Sequence, residues 1–289
     1  MRPARRRWLQ LRQGQEDAII SADPGPPRLP HAPGRLVSLV PAHTASLFDL
    51  GLGARLVGRT DACSYPVEGT ARLPSVGDPA RPEAAAILAL QPDLVLAGAG
   101  LNAQEAIAAL RASGVLVWVT ADPRTVREAL NLLWALVRLC DVPQAGHTLA
   151  ALERSYEITR QAALDAPPSL VFCPLSRSTD GAGWLVAGRD SYLTDLLATC
   201  GGESVPAALS ASPIATDDLS AAAPDVIVLP GSPGPFSEAD VAALADRLDL
   251  PAVAAGRVYL MDGALLTWPG THLARALAEL PAVLHIPHA

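Results

Sequence analysis

Trp268, Pro269, Gly270, Thr271 and His272 stand in a row near the end of the 289-residue chain, and an apolar helical rhythm at Leu273, Leu277 and Leu280 starts directly after them. An indole can cover a flat apolar ligand face with little rotamer loss, and an imidazole can hydrogen-bond or ligate a metal centre. Pro269 and Gly270 would stiffen the loop, and the N-terminus of the following helix disfavours a charged His272. The competing reading of Trp268 is a lid on a hydrophobic core. His43 follows the first apolar run in a similar way, and both histidines serve equally well as ordinary turn residues. With Asp61 and Asp262 they could form a mixed nitrogen and oxygen site for zinc, manganese or iron, provided each ligand came within about 2.0–2.3 Å of the ion. A metal-ion receptor is therefore one alternative, with His43 and His272 as its candidate ligands.

A second chemistry is suggested by GAGLNA at 98–103, a G-x-G-x-x-A pattern between an apolar run and an amphipathic segment, with Asp122 beyond the next run. Such a turn can hold a dinucleotide pyrophosphate at a helix N-terminus, which makes an NAD-dependent enzyme another alternative. The pattern falls on the third strand of its unit rather than the first, and its later counterpart, PGSPGPF at 230–236, lacks it. No G-x-S-x-G or H-E-x-x-H is present. All 22 basic residues are arginine, so phosphate-loop lysine and Schiff-base chemistry are excluded. The chain is expected not to be an enzyme and to need no cofactor. Cys63, Cys140, Cys173 and Cys200 lack any C-x-x-C spacing and read as buried free thiols. A net charge of -7, with no basic stripe beyond the N-terminus, argues against a nucleic-acid partner.

The elements that must position these residues are written twice. ILALQPDLVLAGAG at 87–100 matches LSAAAPDVIVLPGSPG at 219–234: helix end, Pro-Asp, a short buried strand, then glycine. Continuous apolar strands alternating with amphipathic helices imply βα units on parallel sheets covered on both faces. Residues 123–164 read as a helical bridge, with Val126, Leu130, Leu133, Val137 and Cys140 on one face, Leu149, Leu152 and Tyr156 continuing it, and a kink at Pro143. The expected architecture is α/β: a flexible N-terminal extension (1–34), a first βα lobe (35–122), a connecting backbone helix (123–165) and a second βα lobe (166–289). Ligands of open parallel sheets sit beyond the carboxyl ends of the strands, so a ligand cleft between the lobes is expected.

On RLVSLVPAHTASLFDLGLGARLVGRTDACSYP, LPSVGD and ILALQPDLVLAG the chain resembles the helical-backbone substrate-binding proteins, with the cobalamin-binding branch nearest. The resemblance implies a solute receptor of ABC-transporter type that binds a bulky ligand such as cobalamin, another corrinoid, haem or a metal chelate. It implies pocket-lining roles for His43 and Thr44, for Asp61 and Tyr65, for Trp184, and for Trp268 and His272. It also implies glutamates for docking an ABC permease, but the corresponding places hold Ala85 and Asp217. Glu83 and Asp218 lie close enough to substitute, which leaves Glu83 and Asp217 as weak docking candidates. A monomer is expected. The N-terminus, MRPARRRWLQL, carries an export-like arginine cluster without the apolar run of about 7–15 residues that a signal requires. The chain as written is expected in the cytoplasm, or exported or at the cell surface if its true start differs.

Overall fold

Short continuous apolar runs become the inner strands of two parallel sheets in the computed structural model, which describes residues 22–178, 183–247 and 249–285. The arginine-rich stretch 1–21 lies outside the described residues, as does 179–182 of the expected ligand loop. Unit 1 takes the chain through Asp122 together with Leu130–Ala150, and unit 2 takes Pro123–Ala129 together with the chain from Ala151 onward.

Unit 1 contains β1 (Leu36–Ser38), α1 (Pro41–Asp49), β2 (Leu56–Arg59), α2 (Val67–Ala71), β3 (Gly77–Asp78), β4 (Arg81–Pro82), α3 (Ala84–Ala89), β5 (Leu94–Gly98), α4 (Gln104–Ala112) and β6 (Val117–Thr120). Its main sheet has the order β2-β1-β5-β6 and is parallel throughout. Val37, Val95, Ala97, Val117 and Val119 from the strands, with Leu39 just past β1, pack against Ile87, Ile107 and Leu110 of the helices. These alternate positions share one sheet face, and Leu36, Leu94, Leu96 and Trp118 on the other are buried as well, so burial of apolar area is the main force holding the unit.

Two helices, α5 (Val126–Leu139) and α6 (Ala145–Leu164), replace the expected single bridge. All eight residues assigned to its apolar stripe are buried. The expected kink is a full break, because α5 ends in a Schellman cap. Asp141 is left-handed at φ 49, its N–H donates to Arg138 O, and the Val142 N–H donates to Val137 O. Pro143 follows, where the helix could not continue. Within unit 2, the start of α5 is held by a carboxylate and a hydroxyl: Val126 N–H donates to Asp195 Oδ2 at 2.7 Å, and Glu128 N–H donates to Thr125 Oγ1 at 3.1 Å.

Unit 2 continues with β7 (Ser169–Phe172), β8 (Pro174–Arg177), β9 (Gly183–Val186), α7 (Tyr192–Thr199), β10 (Gly202–Ser204), β11 (Ser212–Ala215) and α8 (Thr216–Ala222). Then come β12 (Val226–Pro230), α9 (Glu238–Leu244), α10 (Pro251–Ala254), β13 (Val258–Met261), α11 (Gly263–Thr267) and α12 (Leu273–Leu284). Its parallel sheet has the order β10-β7-β12-β13. In chain order, the strands of each parallel sheet lie second, first, third, fourth, so the duplication read from the sequence is a duplication of topology. The strand order reverses between β1 and β5 in unit 1 and between β7 and β12 in unit 2, the points where open α/β sheets leave a crevice beyond their strand ends.

Two expectations need correction. The extension is fastened from Asp23 onward: Asp23 N–H donates to Val119 O, Val119 N–H donates to Asp23 Oδ2, and Arg111 pairs with the same carboxylate, all at 2.8 Å. The Gly34 and Arg35 N–H groups both donate to Asp93 Oδ2 at 2.8 Å. The second lobe is also not wholly parallel, since β11, β9 and β8 form an antiparallel sheet of their own.

Candidate functional site

In unit 1 the candidates sort by depth. Pro at the first position of α1 starts a helix whose residues Pro41–Leu47 are all buried, so His43 and Thr44 follow it inward. Thr44 is fully buried, and its Oγ1 lies 2.8 Å from Ser38 Oγ and 3.1 Å from Cys63 Sγ. It belongs to a buried polar cluster with Ser38, Thr60 and Cys63 rather than to a pocket wall. His43 is 4% exposed; its Nε2 lies 3.4 Å from Thr120 Oγ1, and its Nδ1 has no hydrogen-bond partner. Burial lowers its pKa to about 4, so the ring is neutral.

Asp61 and Tyr65 stay at the surface. Asp61 N–H donates to Gly77 O at 2.9 Å, while Asp61 Oδ1 accepts from Ser75 Oγ. Tyr65 is 39% exposed beside an exposed Val67, an apolar edge at the end of the loop after β2.

The GAGLNA turn does not form a phosphate cradle. Gly98 N–H donates to Asn102 Oδ1 at 2.8 Å, Ala99 N–H to Thr120 O, Leu101 and Asn102 N–H to Gly98 O, and Ala103 N–H to Ala80 O. A Cβ on Gly100 would collide with the Asp122 carboxylate. An anionic side chain therefore stands beside the turn where a pyrophosphate would sit, and the dinucleotide reading is not favoured. Asn102, which sequence reasoning passed over inside the motif, is the residue that organises this turn.

In unit 2 Trp184 corrects an expectation. It lies on β9, 2% exposed, with its ring 5.4 Å from Phe172 and 5.8 Å from Phe236, and the Arg177 guanidinium sits 3.8 Å from its centroid. At this exposure the indole is packed into the core of unit 2 rather than standing at a surface, and its Nε1–H is buried without a hydrogen-bond partner. Trp268 and His272 do come together, with ring centroids 5.6 Å apart at an interplanar angle of 62°. Both are buried, Trp268 at the C-cap of α11 and His272 at the N-cap of α12. Gly263 lets this loop pack tightly, because a Cβ there would collide with the backbone of Gly231 and Gly234. Asp262 caps α11 by accepting from Ala264 N–H at 2.9 Å and pairs with Arg275 at 3.2 Å, bracketing the Trp268 loop.

These engagements do not favour the bare-ion alternative either. Asp61 is held by Ser75, Asp262 by Ala264 and Arg275, and His43 faces Thr120. Among the described residues no three His, Cys, Asp or Glu side chains converge on a common point. The four cysteines are buried and free, as their spacing implied.

Of the docking candidates, Glu83 is exposed at the N-cap of α3, and Asp217 is exposed in the first turn of α8. Asp218 is engaged at its own helix end, accepting from Ala215 N–H at 3.0 Å. A shallow groove of about 560 Å³ in unit 2 is lined by Val205, Pro206, Ile214, Asp218 and Ala222, and none of the expected ligand contacts lines it.

Two duplicated parallel sheets with the same strand order define a class, the two-lobed α/β binding proteins. The chain belongs to the family described as periplasmic binding protein, whose profile matches residues 36–265. A vitamin B12-binding protein of Yersinia pestis (strain Pestoides F) is 27% identical over 172 residues, a stretch spanning 59% of this chain and 59% of the relative's length. The periplasmic heme-binding protein RhuT of Roseiflexus sp. RS-1 superposes with a TM-score of 0.75 at 28% identity, covering 86% of this chain and 97% of that one. The vitamin B12-binding protein BtuF of Vibrio cholerae shares the fold with a TM-score of 0.73 at 22% identity, over 88% of this chain and 97% of its own. The cytoplasmic expectation finds no support in this family, whereas the exported alternative fits it. No helix among the described residues is long and apolar enough to cross a membrane.

Proposed function

We propose that this protein is a solute receptor for a bulky tetrapyrrole, a corrinoid or haem, which it carries to an ABC permease. The observation that carries the reading is the matched second-first-third-fourth strand order in both units, lying within a family profile that runs from 36 to 265. Relatives at 27% and 28% identity are named for vitamin B12 and heme, two macrocycles of similar breadth. Tyr65, exposed at the carboxyl edge of unit 1, supplies a flat aromatic contact for such a ring, with Val67 beside it. Asp61, whose Oδ1 accepts from Ser75, would accept from a ligand amide through its other oxygen. His43, Trp268 and His272 lie beneath the surface and shape the loops that meet the ligand.

Delivery to a permease would use Glu83 and Asp217, exposed carboxylates at the N-cap of α3 and in the first turn of α8. Export is part of the same reading, and cell fractionation of the tagged protein tests it. Absorbance titration with haemin and with cyanocobalamin tests the ligand class. Saturable binding of one of them supports the reading, and the absence of binding to both rejects it.

A further inference from the structure

Asn102 is 1% exposed, yet its side chain makes contacts to three separate segments of unit 1. Its Oδ1 accepts the Gly98 N–H at 2.8 Å, at the end of β5. Its Nδ2 donates to Pro79 O at 2.6 Å in the turn between β3 and β4, and to Leu39 O at 3.4 Å just past β1. The partners fix the amide's orientation, since an N–H needs the oxygen and two carbonyls need the nitrogen. The next residue extends the tie, Ala103 N–H donating to Ala80 O at 3.1 Å. The segment leading into that turn is itself linked to the loop after β2, through Asp61 N–H to Gly77 O at 2.9 Å. One amide thus spans the β1/β5 reversal of strand order and reaches, through one further hydrogen bond, the loop that carries Asp61 and Tyr65.

We propose that Asn102 is a positioning residue that holds the carboxyl-terminal loops of unit 1 in one arrangement, so that its ligand-contacting edge is formed before the ligand arrives. The inference rests on the receptor reading given above. Only asparagine suits the place among residues of this size. Aspartate keeps the acceptor for Gly98 but loses both donors and sets a carboxylate against two carbonyl oxygens; alanine leaves an N–H and two carbonyls without this partner. A preformed edge binds without the entropic cost of ordering its loops, and therefore holds its ligand longer.

The test compares wild type, Asn102→Ala, Asn102→Asp and a core control, Ile87→Val, by amide hydrogen exchange and by stopped-flow haemin and cyanocobalamin dissociation. Asn102→Ala is expected to speed exchange at Gly98, Ala103 and Asp61 by about tenfold or more, with Val95 inside the sheet unchanged. Asn102→Asp is expected to keep Gly98 protected while freeing Ala103 and Asp61, a split that general destabilisation does not give and that remains readable if the alanine variant fails to fold. Dissociation of whichever probe the wild type binds should quicken about tenfold in both variants and stay within twofold in Ile87→Val. Unchanged exchange at all three amides overturns the proposal, and so does loosened exchange with unchanged probe dissociation. A wild-type protein that binds neither probe overturns the receptor reading itself, an outcome the titration reveals before any variant is made.

Discussion

The Trp268 indole meets the His272 imidazole edge to face, 5.6 Å between ring centroids, across the loop that joins α11 to α12. Trp268 is 5% exposed, so the pair is part of the packing that holds this loop. Trp268→Ala should therefore cost about 3 kcal/mol or more of stability, as large-to-small changes in a packed core do. Urea denaturation measures it, and a loss under about 1 kcal/mol would mean that the ring is not a packing residue.

His43 makes stability depend on pH. Its folded pKa is depressed from 6.5 to about 4 by burial, so the folded state disfavours the proton that the unfolded chain accepts. Its stabilising contribution is complete above about pH 6.5 and is lost as pH falls toward 4, by about 3 kcal/mol in all. Denaturation curves between pH 7 and 4 should show this slope, and His43→Gln should flatten it in that window.

Trp184 gives a contrasting pair of outcomes. Trp184→Ala removes an indole packed against Phe172 and Phe236 and should cost about 3–5 kcal/mol. Trp184→Phe keeps most of that packing and should leave ligand affinity within twofold in the same titration, because the ring has no surface to present.

The start of α5 depends on an acid from α7. Asp195→Ala strips the Val126 N–H of its partner and should cost about 1 kcal/mol, seen as a lowered thermal midpoint. Asp195→Asn, which keeps an acceptor, should recover part of it.

Cys140 is held at about 11 and Cys173 and Cys200 at about 12 by burial, so these thiols carry almost no thiolate at pH 8. Reaction with a disulfide reagent should follow unfolding rather than precede it, and rapid labelling of the native protein would contradict their burial.

Period and punctuation made the fold legible. Leu94–Ala97 and Val226–Leu229 are apolar on every residue, which only a doubly covered sheet accommodates, and the Pro-Asp landmarks before them exposed the duplication. The antiparallel sheet was missed although Asp180 and Gly181, between two strand-like runs, form a hairpin signal. Without that sheet, nothing in the sequence put Trp184 on a strand inside the core. The bridge broke further than Pro143 suggested, because Asp141 adopts a left-handed conformation that no periodicity reports. At the site, residue type and position past a strand were readable for His43, Thr44 and Trp268, but depth was not. Depth depends on which way a helix such as α1 turns its faces, a tertiary property. Asn102 stayed hidden because its three partners are backbone atoms supplied by distant segments.

The most direct test of the central claim is titration of the purified protein with haemin and cyanocobalamin, followed by absorbance and confirmed by native mass spectrometry. The account predicts saturation at one macrocycle-bearing complex with an affinity of about 1 μM or tighter for at least one of them. Spectra that are the simple sum of protein and free ligand for both, with only unliganded protein in the mass spectrum, would contradict it.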